Sequence, residues 1–230
     1  MKLRPIGHIR SPYREKFGVP RQSGLVADAE AILVLEPPFH RPEALMGLED
    51  FSHVWLIWRF HQVVREDQDF RPTVRPPRLG GNRRFGVFAT RSPYRPNHLG
   101  LSAVKLLTVE PKACRLVLGG VDLVDGTPIY DIKPYVPYAD AVAEASGGFA
   151  DRAPDEGLVV SFSSQAQAAL VGRERLRRLI RQTLALDPRP AFHEDSRRVY
   201  VMALEEVEVR WRVIDHGAWV LEITAVPADH

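Results

Sequence analysis

Between Phe70 and Val109 the chain carries Arg71, Arg75, Arg78, Arg83, Arg84, Arg91, Arg95 and Lys105, and neither Asp nor Glu. A guanidinium is a planar, permanently charged fork that pairs with phosphate in bidentate fashion, so the stretch points to a polyanionic partner. An isolated charged run is as readily a solvated surface. Forty residues without one acid are harder to read that way. The balance reverses from Asp122 to Glu156, where eight acids stand against Lys133 and Arg152, and the net charge of +2 hides both regions.

Several chemistries have no support. No two glycines stand at i and i+2, so neither the dinucleotide fingerprint nor the Gly-rich turn of Rossmann-type methyltransferases is present. Gly81 and Gly86 have P-loop spacing, but Val87 occupies the lysine position. The eight histidines show no metal-ligand spacing, there is no G-x-S-x-G elbow, and no metal is expected. Cys114 is the single cysteine and reads as a small core residue. The N-terminus lacks the apolar region of a secretory signal and no apolar run reaches 18 residues, which points to a cytoplasmic protein without a membrane span.

The elements that must position these side chains are mainly β. Apolar patterning predicts strands over 3–9, 31–35, 54–60, 85–89, 102–109 and 115–118, the last continuing through 121–124. Residues 54–58 are apolar at every position, which predicts burial on both faces. No amphipathic helix separates these strands, so a closed or strongly curved sheet is favoured over βαβ units. Proline and glycine mark loops at 75–81 and 93–100. A short echo, Arg10-Ser11-Pro12-Tyr13-Arg14 and Arg91-Ser92-Pro93-Tyr94-Arg95, marks two similar loops.

The predicted organisation is a β-barrel domain over 1–145, a linker over 146–157 and a small α+β domain over 158–230. In the last, a strand over 159–162 precedes a helix opened by Ser164 as N-cap, with Gln167 completing a capping box. Leu176, Leu179, Ile180 and Leu184 mark its buried face, and Pro188 and Pro190 end it. Arg173, Arg175, Arg177, Arg178 and Arg181 crowd its other side, either as a phosphate-binding surface or as a solvated face. A hairpin follows, with Val207, Val209, Trp211 and Val213 alternating inward, a turn at Asp215-His216-Gly217, and Trp219, Leu221 and Ile223 continuing the apolar face.

Several long segments resemble, in order, the tRNA methyltransferase family called TsaA or TrmO. They include Ile6-Gly7-His8-Ile9-Arg10-Ser11-Pro12-Tyr13, Gly18-Val19-Pro20-Arg21-Gln22, Leu48-Glu49-Asp50-Phe51-Ser52-His53-Val54-Trp55, Gly86-Val87-Phe88-Ala89-Thr90-Arg91-Ser92 and Leu123-Val124-Asp125-Gly126-Thr127-Pro128. Asp187-Pro188-Arg189-Pro190-Ala191 resembles the family's C-terminal extension, and His98 departs from the family pattern, which has Pro after Arg95-Pro96-Asn97.

The resemblance implies a single non-Rossmann β-barrel that binds S-adenosylmethionine (SAM), usually as a homodimer. It methylates threonylcarbamoyladenosine at position 37 of tRNA, beside the anticodon. It also implies that Pro20, Arg21, Gln22, His61, Gln62, Arg91, Leu101, Asp122, Leu123, Val124 and Asp125 form the SAM pocket. Gln22 or Gln62 can read the adenine edge, Arg21 or Arg91 can hold the methionine carboxylate, and Asp122 or Asp125 can bond ribose hydroxyls or favour the sulfonium charge. Asp125 is the candidate general base or orienting acceptor. Arg95, Asn97, Lys133 and Tyr135 are candidates for the substrate's threonyl carboxylate and anticodon-loop nucleotides. Plainer roles compete: a core histidine for His61, a turn former for Asp125, a surface charge for Arg21, a packed aromatic for Tyr135. Two other functions compete as well, a non-catalytic RNA-binding module and a SAM-dependent methyltransferase with another acceptor.

Overall fold

The computed structural model describes residues 3–62, 71–76, 83–151, 157–189 and 197–226. Arg78, the Gly80-Gly81 pair and Pro190 lie outside them. Strands β1 (Gly7–Arg10), β2 (Ala31–Leu35) and β3 (His53–Arg59) are followed by a two-residue pair, β4 (Thr73–Val74) with β5 (Phe85–Gly86). Then come β6 (Leu99–Glu110), β7 (Arg115–Gly119) and β8 (Pro128–Pro134). Six of these close into an antiparallel barrel in the order β1-β2-β7-β6-β3-β8, with β8 returning to β1. Closure leaves no unpaired sheet edge. The interior is packed by alternating side chains, among them Ile9, Leu33, Val54, Leu56, Leu116, Leu118 and Ile129, all buried. Each fully buried aliphatic side chain of this kind contributes about 1.5–3 kcal/mol by leaving water.

Several expectations need correction. The 54–58 run is inward only at Val54, Leu56 and Trp58, whereas Trp55 and Ile57 lie half-buried on the outer face. Strand pleating forces that alternation whatever the residue type. The outer Trp55 indole donates to Asp140 of the short helix α1 (Pro137–Asp140) and packs near Tyr135. The segment expected over 85–89 is a strand only at Phe85–Gly86, and Val87–Ala89 is a 3-10 turn. Residues 121–124 leave the sheet, while β8 supplies a barrel strand that the patterning did not predict.

The C-terminal part builds on a four-stranded sheet ordered β10-β11-β12-β9, from β9 (Val159–Phe162), β10 (Tyr200–Leu204), β11 (Val207–Ile214) and β12 (Gly217–Ala225). β9 is parallel to β12 and the other pairs are antiparallel. Asp215 and His216 both take positive φ in the two-residue hairpin turn, as a type I′ turn requires. Two helices cover the sheet where one was expected: α2 (Ser164–Ala169) and α3 (Glu174–Ala185). Gly172 at φ 73° separates them in the left-handed region that ends helices. The N-cap is Ser163, whose hydroxyl accepts from the Ala166 amide. Leu176, Leu179, Ile180 and Leu184 are buried as expected. On β12 the buried residues are Ala218, Val220 and Ile223, not Trp219 and Leu221, because a bulge beside Arg210 and Trp211 shifts the register.

The arginines of α3 all have partners within the chain. Arg173 pairs with Glu206, Arg175 with Glu205, Arg177 with Glu174 and Arg178 with Asp28, while Arg181 lies 5.8 Å from the Phe162 ring centroid. This face is therefore an intramolecular seam in which Arg173, Arg175 and Arg178 keep part of their side chains exposed.

Candidate functional site

Two loops and one turn meet above the barrel at Gln22, Arg91 and Asp122. Arg91 donates to the Gln22 side-chain oxygen. Asp122 is largely buried and its Oδ1 has no hydrogen-bond partner among the described residues. Burial raises its pKa above the usual carboxylate value, partly offset by the Ser102 hydroxyl, the backbone amides of Asp122 and Ser23, and the Arg91 charge. Ser102 is itself held, accepting from the Trp58 indole at 3.0 Å inside the barrel. A chain of contacts thus runs from the barrel core to a carboxylate oxygen that still lacks a donor. A buried acceptor of that kind is costly unless a ligand satisfies it.

Asp125, at the other end of the same turn, is exposed, and its Oδ1 accepts from the Ser11 amide at 2.8 Å. Ser11 Oγ donates to the Leu123 carbonyl at 2.6 Å, and the Asp125 amide donates to the Tyr13 carbonyl at 2.8 Å. His61 stands beside Asp125 and Gly126. Although much of its surface is exposed, contact with the protein lowers its pKa by desolvation and by the His8 charge, against the opposing pull of Asp125. Between its native midpoint and 6.5 the unfolded chain binds a proton that the folded chain does not. Stability therefore falls as pH drops through that window. An NMR titration of His61 is expected to give a midpoint below 6.5, and Asp125→Asn to lower it further by removing a charge that favours imidazolium. A midpoint that rises in the variant contradicts this arrangement.

The other expected residues are distributed unevenly. Pro20 is buried at the base of the Gln22 loop, and Arg21 and Arg91 line one cleft with Gln22. Leu123 is buried and Val124 half-buried within the turn, and Gln62 lines a second cleft with Asp125. Leu101 is 56% exposed and points outward from β6, opposite in sense to Ser102, so its side chain does not join the Asp122 cluster. The Arg95 guanidinium donates to the Thr90 carbonyl of its own loop, and Asn97 is exposed nearby. Lys133 pairs with Asp131 at 3.5 Å, and Tyr135 packs 5.5 Å from Trp55 between ring centroids. Lys133 lies opposite Trp55, four residues along β3 from Arg59 and hence roughly 13 Å from the His61 end of that strand. One chain does not bring Lys133 and Tyr135 to the Asp122–Asp125 turn.

Ser102, Trp58, Ser11 and Ser23 were not anticipated. Ser102 had a signal: a hydroxyl at an inward position in a strand where Val104 and Leu106 follow inward. The two echoed loops do share a local device, since Tyr13 N donates to Ser11 Oγ at 3.2 Å and Tyr94 N to Ser92 Oγ at 3.3 Å.

The first cleft, of about 700 Å³, is lined by Arg21, Arg71, Arg75, Arg84 and Arg91, with Gln22, Thr73, Thr90, Ser92 and Tyr94 among the other residues, and among the described residues no acid lines it. The second, of about 900 Å³, mixes Arg10, Arg14 and Arg175 with Glu30, Asp125, Glu205 and Glu206. Among the described residues no group of three or more His, Cys, Asp or Glu could hold a metal ion, and no helix is long and apolar enough to cross a membrane.

Comparison with known proteins matches residues 8–141 to the tRNA-methyltransferase O N-terminal domain and residues 155–226 to the TrmO C-terminal domain. The chain is 49% identical to the tRNA (adenine(37)-N6)-methyltransferase of Escherichia coli K12, over 92% of this chain and 93% of that protein. It is 54% identical to a putative S-adenosylmethionine-dependent methyltransferase, RcsF, of Pseudomonas aeruginosa, over 90% of each chain. The crystal structure of TrmO from Pseudomonas aeruginosa superposes with a TM-score of 0.81 at 44% identity, covering 98% of both chains.

Proposed function

The chain belongs to the tRNA-methyltransferase O family, and from that premise we propose that it transfers a methyl group to the N6 nitrogen of the threonylcarbamoylated adenosine 37 of tRNA. It is a SAM-dependent tRNA methyltransferase acting beside the anticodon. The observation that carries the site assignment is the Gln22–Arg91–Asp122 cluster: Gln22 and Arg91 line an arginine-rich cleft, and behind them lies the buried Asp122 carboxylate with one oxygen unpartnered among the described residues.

The residues present fit SAM. Asp122 Oδ1 lacks the donor that a ribose hydroxyl would supply, and Arg21 and Arg91 offer guanidinium forks to the methionine carboxylate. SAM bound there supplies an electrophilic methyl group. Neutral His61 and the Gln22 and Gln62 amides are suited to the remaining polar edges. Asp125 is the candidate to orient the acceptor N–H or take its proton, and the Ser11 amide holds the carboxylate in place for that role. An N–H between adenine and a carbamoyl group is more acidic than an ordinary amine, so an exposed carboxylate suffices.

Arg95, Asn97, Lys133 and Tyr135 are assigned to the threonyl carboxylate and neighbouring nucleotides. Because Lys133 and Tyr135 stand at the far end of β3 and β8, a second copy is the arrangement that completes the site, and we assign the active form as a cytoplasmic homodimer. Sedimentation velocity at twice the monomer mass supports this, and a monomer at assay concentration rejects it.

The arginine-lined cleft is assigned to the RNA backbone. Replacing Arg71, Arg75 and Arg84 together by Gln is expected to weaken tRNA binding and to flatten its dependence on log salt by about two to three. SAM affinity should stay at the wild-type value. An unchanged salt slope would place the phosphates elsewhere.

A further inference from the structure

The N-terminal loop over residues 11–18 touches the cofactor turn on one side and the C-terminal sheet on the other. Toward the turn, Ser11 holds Leu123 and Asp125, and the Tyr13 carbonyl receives the Asp125 amide. Toward the sheet, the Glu205 amide donates to the Pro12 carbonyl, Tyr13 forms a β-bridge with Leu204, and the Ala203 amide donates to Glu15. Tyr13 is fully buried with its hydroxyl facing Thr183 of α3, and desolvation pushes its pKa far above the ordinary phenol value. Phe17 stacks on Tyr200 and Trp211, with ring centroids 6.3 and 6.5 Å away. A Cβ on Gly18 would fall 2.3 Å from Met202 Sδ. The loop therefore fills part of the C-terminal core while its backbone braces the turn that carries Asp122 and Asp125. A second anchor, Asp28 with Arg178 and Gln182 of α3, ties the same two parts together.

We propose that the C-terminal sheet clamps the 11–18 loop and thereby holds the 122–126 turn in its SAM-binding form, with Tyr13 and Phe17 as positioning residues. The clamp rests on the functional reading only for the identity of the ligand. Coupling of this kind requires that docking and cofactor binding favour the same arrangement of the turn. It gives the C-terminal domain a part in cofactor binding, apart from any contact with RNA.

The test uses the full chain with two variants that loosen the clamp at separate points, Phe17→Ala and Asp28→Asn. A third, Ile223→Ala, removes a buried side chain from β12, two strands away from β10. Two quantities are read: hydrogen exchange at the Asp125 and Gly126 amides, and the Kd for SAM by calorimetry. The clamp predicts roughly tenfold faster exchange and a roughly tenfold higher Kd in both loosening variants, and neither change in Ile223→Ala. Unchanged exchange in the loosening variants overturns it, as does faster exchange at unchanged Kd, or an equal effect of Ile223→Ala. Asp28→Asn keeps the test decisive if Phe17→Ala does not fold. If the wild-type protein binds no SAM, the functional reading fails, and the exchange comparison still decides whether the sheet holds the turn.

Discussion

Asp122→Asn is expected to raise the Kd for SAM roughly 30- to 150-fold, the loss of about 2–3 kcal/mol for a hydrogen bond to a charged group. The same variant is expected to leave the ligand-free protein at least as stable as wild type at pH 7. The two effects have one cause. Burial raises the Asp122 pKa, so above the carboxyl's ordinary value of 3.8 the folded chain retains a proton that the unfolded chain releases. Stability therefore falls as pH rises through the window from 3.8 to the native midpoint, and an ionised Asp122 is a net burden on the empty protein. Asparagine removes that burden while weakening the acceptor. Calorimetry and thermal melts across pH separate the effects. A variant that binds SAM normally, or one that is less stable than wild type at pH 7, contradicts the role assigned to the carboxylate.

Gly100→Ala is expected to lower stability and SAM affinity together. A Cβ at Gly100 would lie 2.3 Å from two atoms of the Trp58 indole, a rigid ring that is itself buried. Overpacking of this kind costs about 1–3 kcal/mol, which in a chain of this size lowers the melting temperature by roughly 2–4 °C per kcal/mol. The Trp58 shift also disturbs the bond to Ser102, and with it the group that faces Asp122. Gly86→Ala is the control, since its Cβ would meet nothing within 4 Å. Loss of stability in Gly100→Ala with an unaltered Kd would disconnect the barrel core from the cofactor cluster.

Much of the barrel was legible because its strands alternate. β2 was expected over 31–35 and is found there, with Ala31, Leu33 and Leu35 inward. β8 was missed because Pro128 and Pro134 bracket it and Asp131 and Lys133 interrupt its apolar pattern. β12 was expected with the wrong phase because a bulge is a tertiary event that leaves no mark in residue period. The split between α2 and α3 was written in Gly172, which the helical spacing of the surrounding apolar residues overrode.

The site was legible in a different way. Residues 22, 91 and 122 lie in three separate segments, and only closure of the barrel brings them together, so no local pattern could join them. They entered through family resemblance alone. The seven arginines were visible as a charge pattern, but not the fact that Arg21, Arg71, Arg75, Arg84 and Arg91 line one cleft. The basic face of α3 was equally visible and proved to be paired with Glu205, Glu206 and Asp28, all supplied from outside the helix. Charge runs therefore identify a kind of partner only after their intramolecular partners are known.

The most direct test incubates the purified protein with isotopically labelled SAM and tRNA, followed by mass spectrometry of the nucleosides. The tRNA is supplied with and without prior threonylcarbamoylation of adenosine 37. One added methyl group on the premodified nucleoside, and none on the unmodified one, is the predicted result. Tight SAM binding without any methylated nucleoside, or equal methylation of unmodified adenosine, would contradict the acceptor proposed here.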